Sequence, residues 1–460
     1  MRPTQWRRST HVVIGVAVLL LVAAVVGVAG VLTTGHSTRD AQAGKPAPAA
    51  ATAHPGILPV VDSATRPTPD RLAATLAPLV ADPNLGALTG RITDAITGAQ
   101  LWAQGADVPM QPASTNKVLT TAAALLALDR DARLTTRVIA SGQPGVVVLK
   151  GGGDPTLSAA PTGQDTWYRE AARIGDLADQ VRRSGIDVTT VQVDISAYSG
   201  PTMAPGWDSA DIDGGDIAPM EAVMLDGGRT QPVSVESRRS TTPALDAGRA
   251  LAVALKVDPA TVTVLPTGLR GGQEIASVQS PPLIERLRQM MNESDNVMAE
   301  SIGREVAAEQ NRPQSFDGAV QAVLSQLDKA KIDTGNARLL DSSGLSVDDR
   351  LTAETLDGVV NAAAGSDQPN LRPLLDLLPI AGGSGTLSNR YLDTDAGRAA
   401  AGYLRAKTGS LTGTNSLAGI VTDVSGRVLT FAFISNNAGP TGRTAIDALA
   451  AILRSCGCST

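Results

Sequence analysis

Two groups of strand-like runs lie toward the two ends of the folded body of this sequence. Leu88–Thr93 and Ala99–Ala103 alternate apolar and polar residues around a Thr97-Gly98 turn, the pattern of a hairpin. Leu404–Leu411, Leu417–Thr422 and Val428–Ser435 read as three more strands, with Gly426 turning the second into the third. A sheet built from both groups can close only if the two ends of the body meet. Helical patterns fill the interval, so the fold class expected is α+β.

Three helical patterns frame the rest. Pro112 introduces Ser114–Leu128, rich in Ala and Leu and free of Gly and Pro. Pro281-Pro282 opens a long helix with Leu283, Ile284, Leu287, Met290 and Met291, predicted to run past Val297 to Ile302. Ala445–Leu453 is amphipathic. Between about Val138 and Gln279 the character changes to short β-like runs (Val146–Leu149, Thr189–Asp194, Val262–Leu265) among Gly, Pro and Asp turns. This reads as one strand-rich accessory domain over 136–280, inserted between two parts of a main domain, 71–135 and 281–460.

The N-terminal segment has a different logic. Arg2, Arg7 and Arg8 precede an uncharged apolar run, Val12–Leu32. As a helix that run measures about 32 Å at roughly 1.5 Å per residue, enough to cross a hydrocarbon core of about 30 Å. It is longer than the apolar region of a cleaved signal. The expectation is a cytoplasmic stretch over 1–11 and a single-pass signal anchor over 12–33. A Pro/Ala-rich linker over 34–70 then holds the bulk outside the cytoplasm. Cleavage at the Gly27–Gly30 end would instead give a secreted protein. Cys456 and Cys458, in the last five residues, could staple only a tiny loop, so the fold does not depend on disulfides.

Composition then limits the chemistry. The three histidines are His11, His36 and His54, so residues 55–460 contain none. That excludes Ser-His-Asp and Cys-His nucleophile systems and His-ligated zinc in the body. No cofactor or metal is expected, and a net charge of −6 with 2% aromatic residues argues against a nucleic-acid partner. Only seven of the 39 Lys+Arg residues are lysines. In a chain that prefers Arg so strongly, a lysine in a structured position suggests a need for an amine that can lose its proton.

Three short motifs meet that description. Ser114-Thr115-Asn116-Lys117 starts the first helix, and residues three apart share a face, so Ser114 Oγ and Lys117 Nζ can meet. Burial by Val118–Leu128 would favour the neutral amine, which could take the serine proton. Alone this motif is weak, since a cap serine followed by a surface lysine looks the same. Ser294-Asp295-Asn296, read as lying within the second helix, offers a relay hydroxyl and an amide for a substrate carbonyl. Alone it reads as a solvated helix turn. Lys407-Thr408-Gly409-Ser410 lies on a strand that Gly409 opens to close approach by another backbone. Lys407, Thr408 and Ser410 supply a cation and hydroxyls for a carboxylate, against the plainer reading of an exposed edge strand.

Taken in order, the trio resembles the signature of the penicillin-recognising serine enzymes, penicillin-binding proteins and serine β-lactamases. The interval from Lys117 to Ser294 holds a long insert, where β-lactamases and the smaller carboxypeptidases have a much shorter gap. It resembles the D-alanyl-D-alanine carboxypeptidase/endopeptidases, the class C low-molecular-mass penicillin-binding proteins. So do Gly151-Gly152-Gly153-Asp154-Pro155-Thr156-Leu157, Asp341-Ser342-Ser343-Gly344-Leu345-Ser346 and Ser416-Leu417-Ala418-Gly419. The resemblance implies a β-lactamase/transpeptidase-like domain, an antiparallel sheet flanked by helices. It implies Ser114 as the acylated nucleophile, Lys117 as its base and Ser294 as a proton relay. Asn296 would orient the substrate. Lys407, Thr408, Gly409 and Ser410 would bind the terminal D-Ala carboxylate, and the Ser114 and Ser410 N–H groups would form the oxyanion hole. Partners so implied are peptidoglycan stem peptides ending in D-Ala-D-Ala and β-lactam antibiotics. One rival is a serine β-lactamase, disfavoured because no Glu-x-x-Leu-Asn segment lies between Asn296 and Lys407. Another is a silent cell-wall scaffold, disfavoured because all three motifs are intact. The insert looks too short for the two accessory domains of larger relatives, so one is expected.

Overall fold

The computed structural model describes residues 64–265 and 267–455. The expected N-terminal anchor, most of the linker and the Cys456/Cys458 pair lie outside the described residues. Among the described residues, no helix is long and apolar enough to cross a membrane.

Helix α1 (Pro69–Val80) leads into the hairpin of β1 (Ala87–Asp94) and β2 (Gln100–Gln104). Asp94 Oδ1 accepts from the Ile96 and Thr97 N–H groups, and Gly98 takes φ 69°, which closes the turn. A 3-10 turn over Ala113–Asn116 runs into α2 (Lys117–Ala127). The second group of elements is β3 (Thr135–Ala140), β4 (Val146–Lys150), α3 (Ile174–Arg183), β5 (Thr190–Asp194), α4 (Ala210–Gly214), α5 (Pro243–Leu255), β6 (Thr263–Leu265) and β7 (Gln273–Gln279). A helical run follows: α6 (Leu283–Glu293), α7 (Asn296–Glu309), α8 (Phe316–Lys329), α9 (Ala353–Ala364), α10 (Pro373–Leu377) and α11 (Asp395–Ala400). The chain ends with β8 (Leu404–Leu411), β9 (Thr414–Thr422), β10 (Val428–Asn436) and α12 (Gly442–Ser455).

The first sheet has the order β2-β1-β10-β9-β8 and is antiparallel throughout. Its central pairing joins the two ends of the described chain, with Ala87 opposite Asn436 and Asp94 opposite Leu429. Alternation assigns its faces. Leu429, Phe431 and Phe433 pack with Leu72 and Leu76 of α1 and Ile446, Leu449 and Leu453 of α12. Ala432 and Ile434 turn to the other face, against a helical core that includes Leu119, Met290, Ile302, Val323 and Val360. This is the expected α+β arrangement.

The second sheet, β6-β5-β4-β3-β7, differs from what short strands and turns suggested. β4, β5 and β6 are parallel, and parallel neighbours need crossover connections. Helices α3 and α5 supply them. Ile174, Leu177, Ala178 and Val181 recur at helical spacing and bury against Val191, Val193, Ala247 and Leu251. Two long excursions leave this sheet, residues 151–173 and 195–242.

One helix expectation is corrected. The run predicted from Pro281 to Ile302 is two helices. Ser294 adopts φ 57° at the end of α6, and Asp295 caps α7 by accepting from the Met298 N–H at 3.0 Å. A left-handed residue followed by an acidic cap ends one helix and starts another. Ser294 and Asn296 therefore sit in a turn at a helix junction, not mid-helix.

The β1–β10 closure carries a buried ion pair. Arg427 Nε reaches Asp94 Oδ2 at 2.7 Å and its NH2 reaches Oδ1 at 2.8 Å, with side-chain exposures of 5% and 0%. Replacing Asp94 by Ala removes the carboxylate from a buried guanidinium and should cost about 3–5 kcal/mol of stability in denaturant unfolding. A loss under about 1 kcal/mol would show that the pair is not needed to hold the sheet closed.

Candidate functional site

The three motifs converge where β8, the edge of the first sheet, faces the helical body. Ser114 is half-buried in the 3-10 turn. Three residues per turn place positions 114 and 117 above one another, so the side chains meet as the spacing implied. Lys117 Nζ, with no exposed surface, donates to Ser114 Oγ at 2.9 Å, Asn296 Oδ1 at 2.6 Å and the Ser343 carbonyl at 2.8 Å. Burial pushes the Lys117 amine down to about 8. Asp341, Asp295, Glu300 and Asp216 push back toward the charged form. Once neutral, the amine keeps two N–H groups, matching Asn296 Oδ1 and the Ser343 carbonyl. Its lone pair is then left for the Ser114 hydroxyl.

The nucleophile turn is held under strain. Ala113 has φ 48°, a region costly for a residue with a Cβ. Gly344 and Gly409 permit it. A Cβ on Gly344 would lie 2.0 Å from the Ala113 carbonyl oxygen. A Cβ on Gly409 would lie 2.1 Å from Ser416 Oγ, 2.7 Å from the Pro112 carbonyl oxygen and 3.0 Å from the Ser114 nitrogen. Gly409 is thus the close-approach position that its place in a strand suggested.

Lys407 is not the exposed edge-strand lysine of the plainer reading. It is fully buried, and its Nζ donates to Ser294 Oγ at 2.9 Å and to the Thr408 carbonyl at 2.9 Å. Burial, then Lys117, then Arg390 hold its ammonium form well below the ordinary lysine value. What faces the cleft is hydroxyl: Thr408, whose Oγ1 lies 2.8 Å from Thr386 Oγ1, and the exposed Ser410. A cleft of about 750 Å³ is lined by Ser114, Ser294, Asn296, Thr408 and Ser410, together with Asp216 from the excursion over 195–242.

Two contributors were not assigned a role from sequence. Asp341 Oδ1 accepts from the Ser343 and Gly344 N–H groups at 3.0 and 2.6 Å, which fixes the carbonyl that Lys117 uses. The Asp-Ser-Ser-Gly composition signals such a turn. Asn296 Nδ2 donates to the Asp216 carbonyl at 3.0 Å, a partner far away in sequence with no local signature. With its Oδ1 on Lys117, the amide is fixed in orientation and one N–H remains for a ligand. Among the described residues, no group of three or more His, Cys, Asp and Glu could hold a metal ion.

Comparison with known proteins bears on the family and the fold. A family model, the D-Ala-D-Ala carboxypeptidase 3 (S13) family, matches residues 72–238 and 230–456. A second, the N-terminal domain of carboxypeptidase Rv3627c-like proteins, matches residues 1–59. Carboxypeptidase DacB of Mycolicibacterium smegmatis is 76% identical over 459 residues, and carboxypeptidase Rv3627c of Mycobacterium tuberculosis is 64% identical over 462, each covering 100% of both chains. Among solved structures, penicillin-binding protein 4 (dacB) of Haemophilus influenzae superposes with a TM-score of 0.67 at 24% identity. The match covers 84% of this chain and 98% of that one. The same Haemophilus protein is also known in complex with a β-lactam, with a TM-score of 0.63 at 23% identity and coverage of 82% and 98%.

Gly409→Ala tests the close approach. The added methyl must displace the nucleophile turn, and a misplacement near 1 Å costs on the order of 100-fold in reactivity. The expected result is about a 100-fold slower reaction of Ser114 with an acylating β-lactam in a protein that still unfolds cooperatively. Wild-type reactivity in that variant would refute the tight packing of β8 on the turn.

Proposed function

The chain belongs to the D-Ala-D-Ala carboxypeptidase 3 (S13) family, and from that premise we propose how its residues carry out serine D-Ala-D-Ala carboxypeptidase chemistry on peptidoglycan stem peptides. The terminal D-Ala carboxylate sits on the hydroxyls of Thr408 and Ser410. Lys117 and Lys407 share one desolvated region, and two like charges there disfavour each other. A bound carboxylate favours the charge on Lys407, which is next to Thr408 in the chain, and so leaves Lys117 neutral.

Neutral Lys117 takes the proton as Ser114 Oγ attacks the carbonyl of the penultimate D-Ala. The Ser114 and Ser410 N–H groups stabilise the oxyanion, and Asn296 orients the peptide with its remaining N–H. The proton passes through the Ser294 hydroxyl to the leaving amine, and D-Ala departs. Water then adds to the Ser114 ester, with Lys117 again as base, and frees the shortened peptide. A cross-linked peptide differs only in its leaving amine, so DD-endopeptidase activity follows the same steps. A β-lactam acylates Ser114 in the same way and blocks it.

The observation that carries this reading is the Lys117 amine held 2.9 Å from Ser114 Oγ without access to water. Its test is covalent labelling by a fluorescent penicillin as a function of pH. The labelling rate should rise as Lys117 loses its proton, with a midpoint near 8, and Ser114→Ala should not label. Release of free D-Ala from a pentapeptide ending in D-Ala-D-Ala should follow the same limb. No label on the wild type, or a rate that falls as pH rises from 7 to 9, would overturn the assignment.

We assign residues 71–135 and 281–460 to the catalytic part and 136–280 to an inserted accessory part. The enzyme acts on the cell wall, outside the cytoplasm. The arginine-flanked apolar run Val12–Leu32 supports a single-pass signal anchor over 12–33, with 34–70 as its tether. Full-length protein should then sediment with membranes, and a chain lacking residues 1–33 but exported by another signal should be soluble. Recovery of both in the soluble fraction would exclude the anchor.

A further inference from the structure

The two excursions from the second sheet end on the turn that carries Ser294 and Asn296. Tyr168, from the first, donates its hydroxyl to Asp295 Oδ2 at 2.7 Å and is 1% exposed. Arg229, from the second, places its guanidinium 3.7 Å from the same oxygen and 3.8 Å from the centre of the Trp167 ring. The other Asp295 oxygen accepts the α7 cap bond from Met298. Both carboxylate oxygens of a residue flanked by Ser294 and Asn296 are therefore engaged, one by α7 and one by the insert.

This contact is built for. Gly227, at φ 64°, leaves room for it, since a Cβ there would lie 2.4 Å from the Tyr168 hydroxyl and 2.8 Å from Arg239 NH1. Burial raises the Asp295 carboxyl, but Arg239, Arg229, the Met298 N–H and Tyr168 more than offset it, so Asp295 stays ionised. The second excursion also supplies the Asp216 carbonyl to Asn296. Its Trp207 Nε1 donates to Asp341 Oδ2 at 2.8 Å, behind the carbonyl used by Lys117.

We propose that Tyr168 and Arg229 of the insert are positioning residues for the reaction, acting through Asp295 to hold Ser294 and Asn296 in register with Lys407 and Lys117. Neither touches the cleft. The role given to the insert is thus to complete the active site, in addition to any substrate it binds. The proposal rests on the acyl-enzyme reading above.

A double-mutant cycle tests it, with stopped-flow acylation by a β-lactam separating the non-covalent dissociation constant from the acylation rate constant. Tyr168→Phe should lower the acylation rate constant about tenfold, with the dissociation constant within twofold and the melting temperature within a few degrees of wild type. Asp295→Asn should lower it at least as much, and adding Tyr168→Phe to Asp295→Asn should change little further. Arg229→Lys, which keeps the charge but loses the planar stack on Trp167, is read in the same cycle should Tyr168→Phe fail to fold. An unchanged acylation rate, or an effect that persists in full in the Asp295→Asn background, refutes the proposal. Absence of labelling in the wild type would instead remove the acyl-enzyme reading on which it stands.

Discussion

Everything in this site depends on one amine that water cannot reach. Lys117 Nζ has the partners the fold gives it: Ser114 in its own turn and, from distant parts of the chain, the start of α7 and the loop at Ser343. Each partner is itself supported. Gly409 and Gly344 let the nucleophile turn approach, Asp295 fixes the helix junction and Asp341 fixes the loop. A buried amine left with an unsatisfied donor would cost more than one hydrogen bond contributes, so these supports act together.

Acidic groups around the site, among them the Asp341, Asp295 and Glu300 carboxylates that order it, oppose its chemistry. Desolvation favours the neutral base, whereas Asp341, Asp295, Glu300 and Asp216 favour the proton. The outcome, about 8, lies close to neutrality, where a base is both available and strong enough to matter. Removing the carboxylates would give a better-deprotonated lysine in a less ordered site.

The closure of the first sheet by both ends of the body was legible from alternation and turn residues, and the three motifs were legible by residue type. The break at Ser294 was not, because the apolar spacing of α6 continues into α7. Asp295 shows itself as a cap only once the break is known. Helices α3 and α5 were hidden among Gly- and Pro-rich turns, although α3 carries a plain helical spacing from Ile174 to Val181. Lys407 was read as a cation for a carboxylate. The burial of its amine against Ser294 Oγ is set by packing, which the motif cannot express. Tyr168 and Asp216 left no local trace, because their meaning exists only across the junction between insert and helical body.

The β1–β10 register has a kinetic consequence. Pairing Ala87 with Asn436 closes a loop that contains the entire second sheet and most of the helices. Such a long-range contact repays its closure entropy late. The second sheet draws only on residues 135–279, a continuous stretch. During synthesis that stretch is complete well before β8, β9 and β10 exist. The scaffold that braces the catalytic turn is thus available first, and reactivity arrives with the final strands.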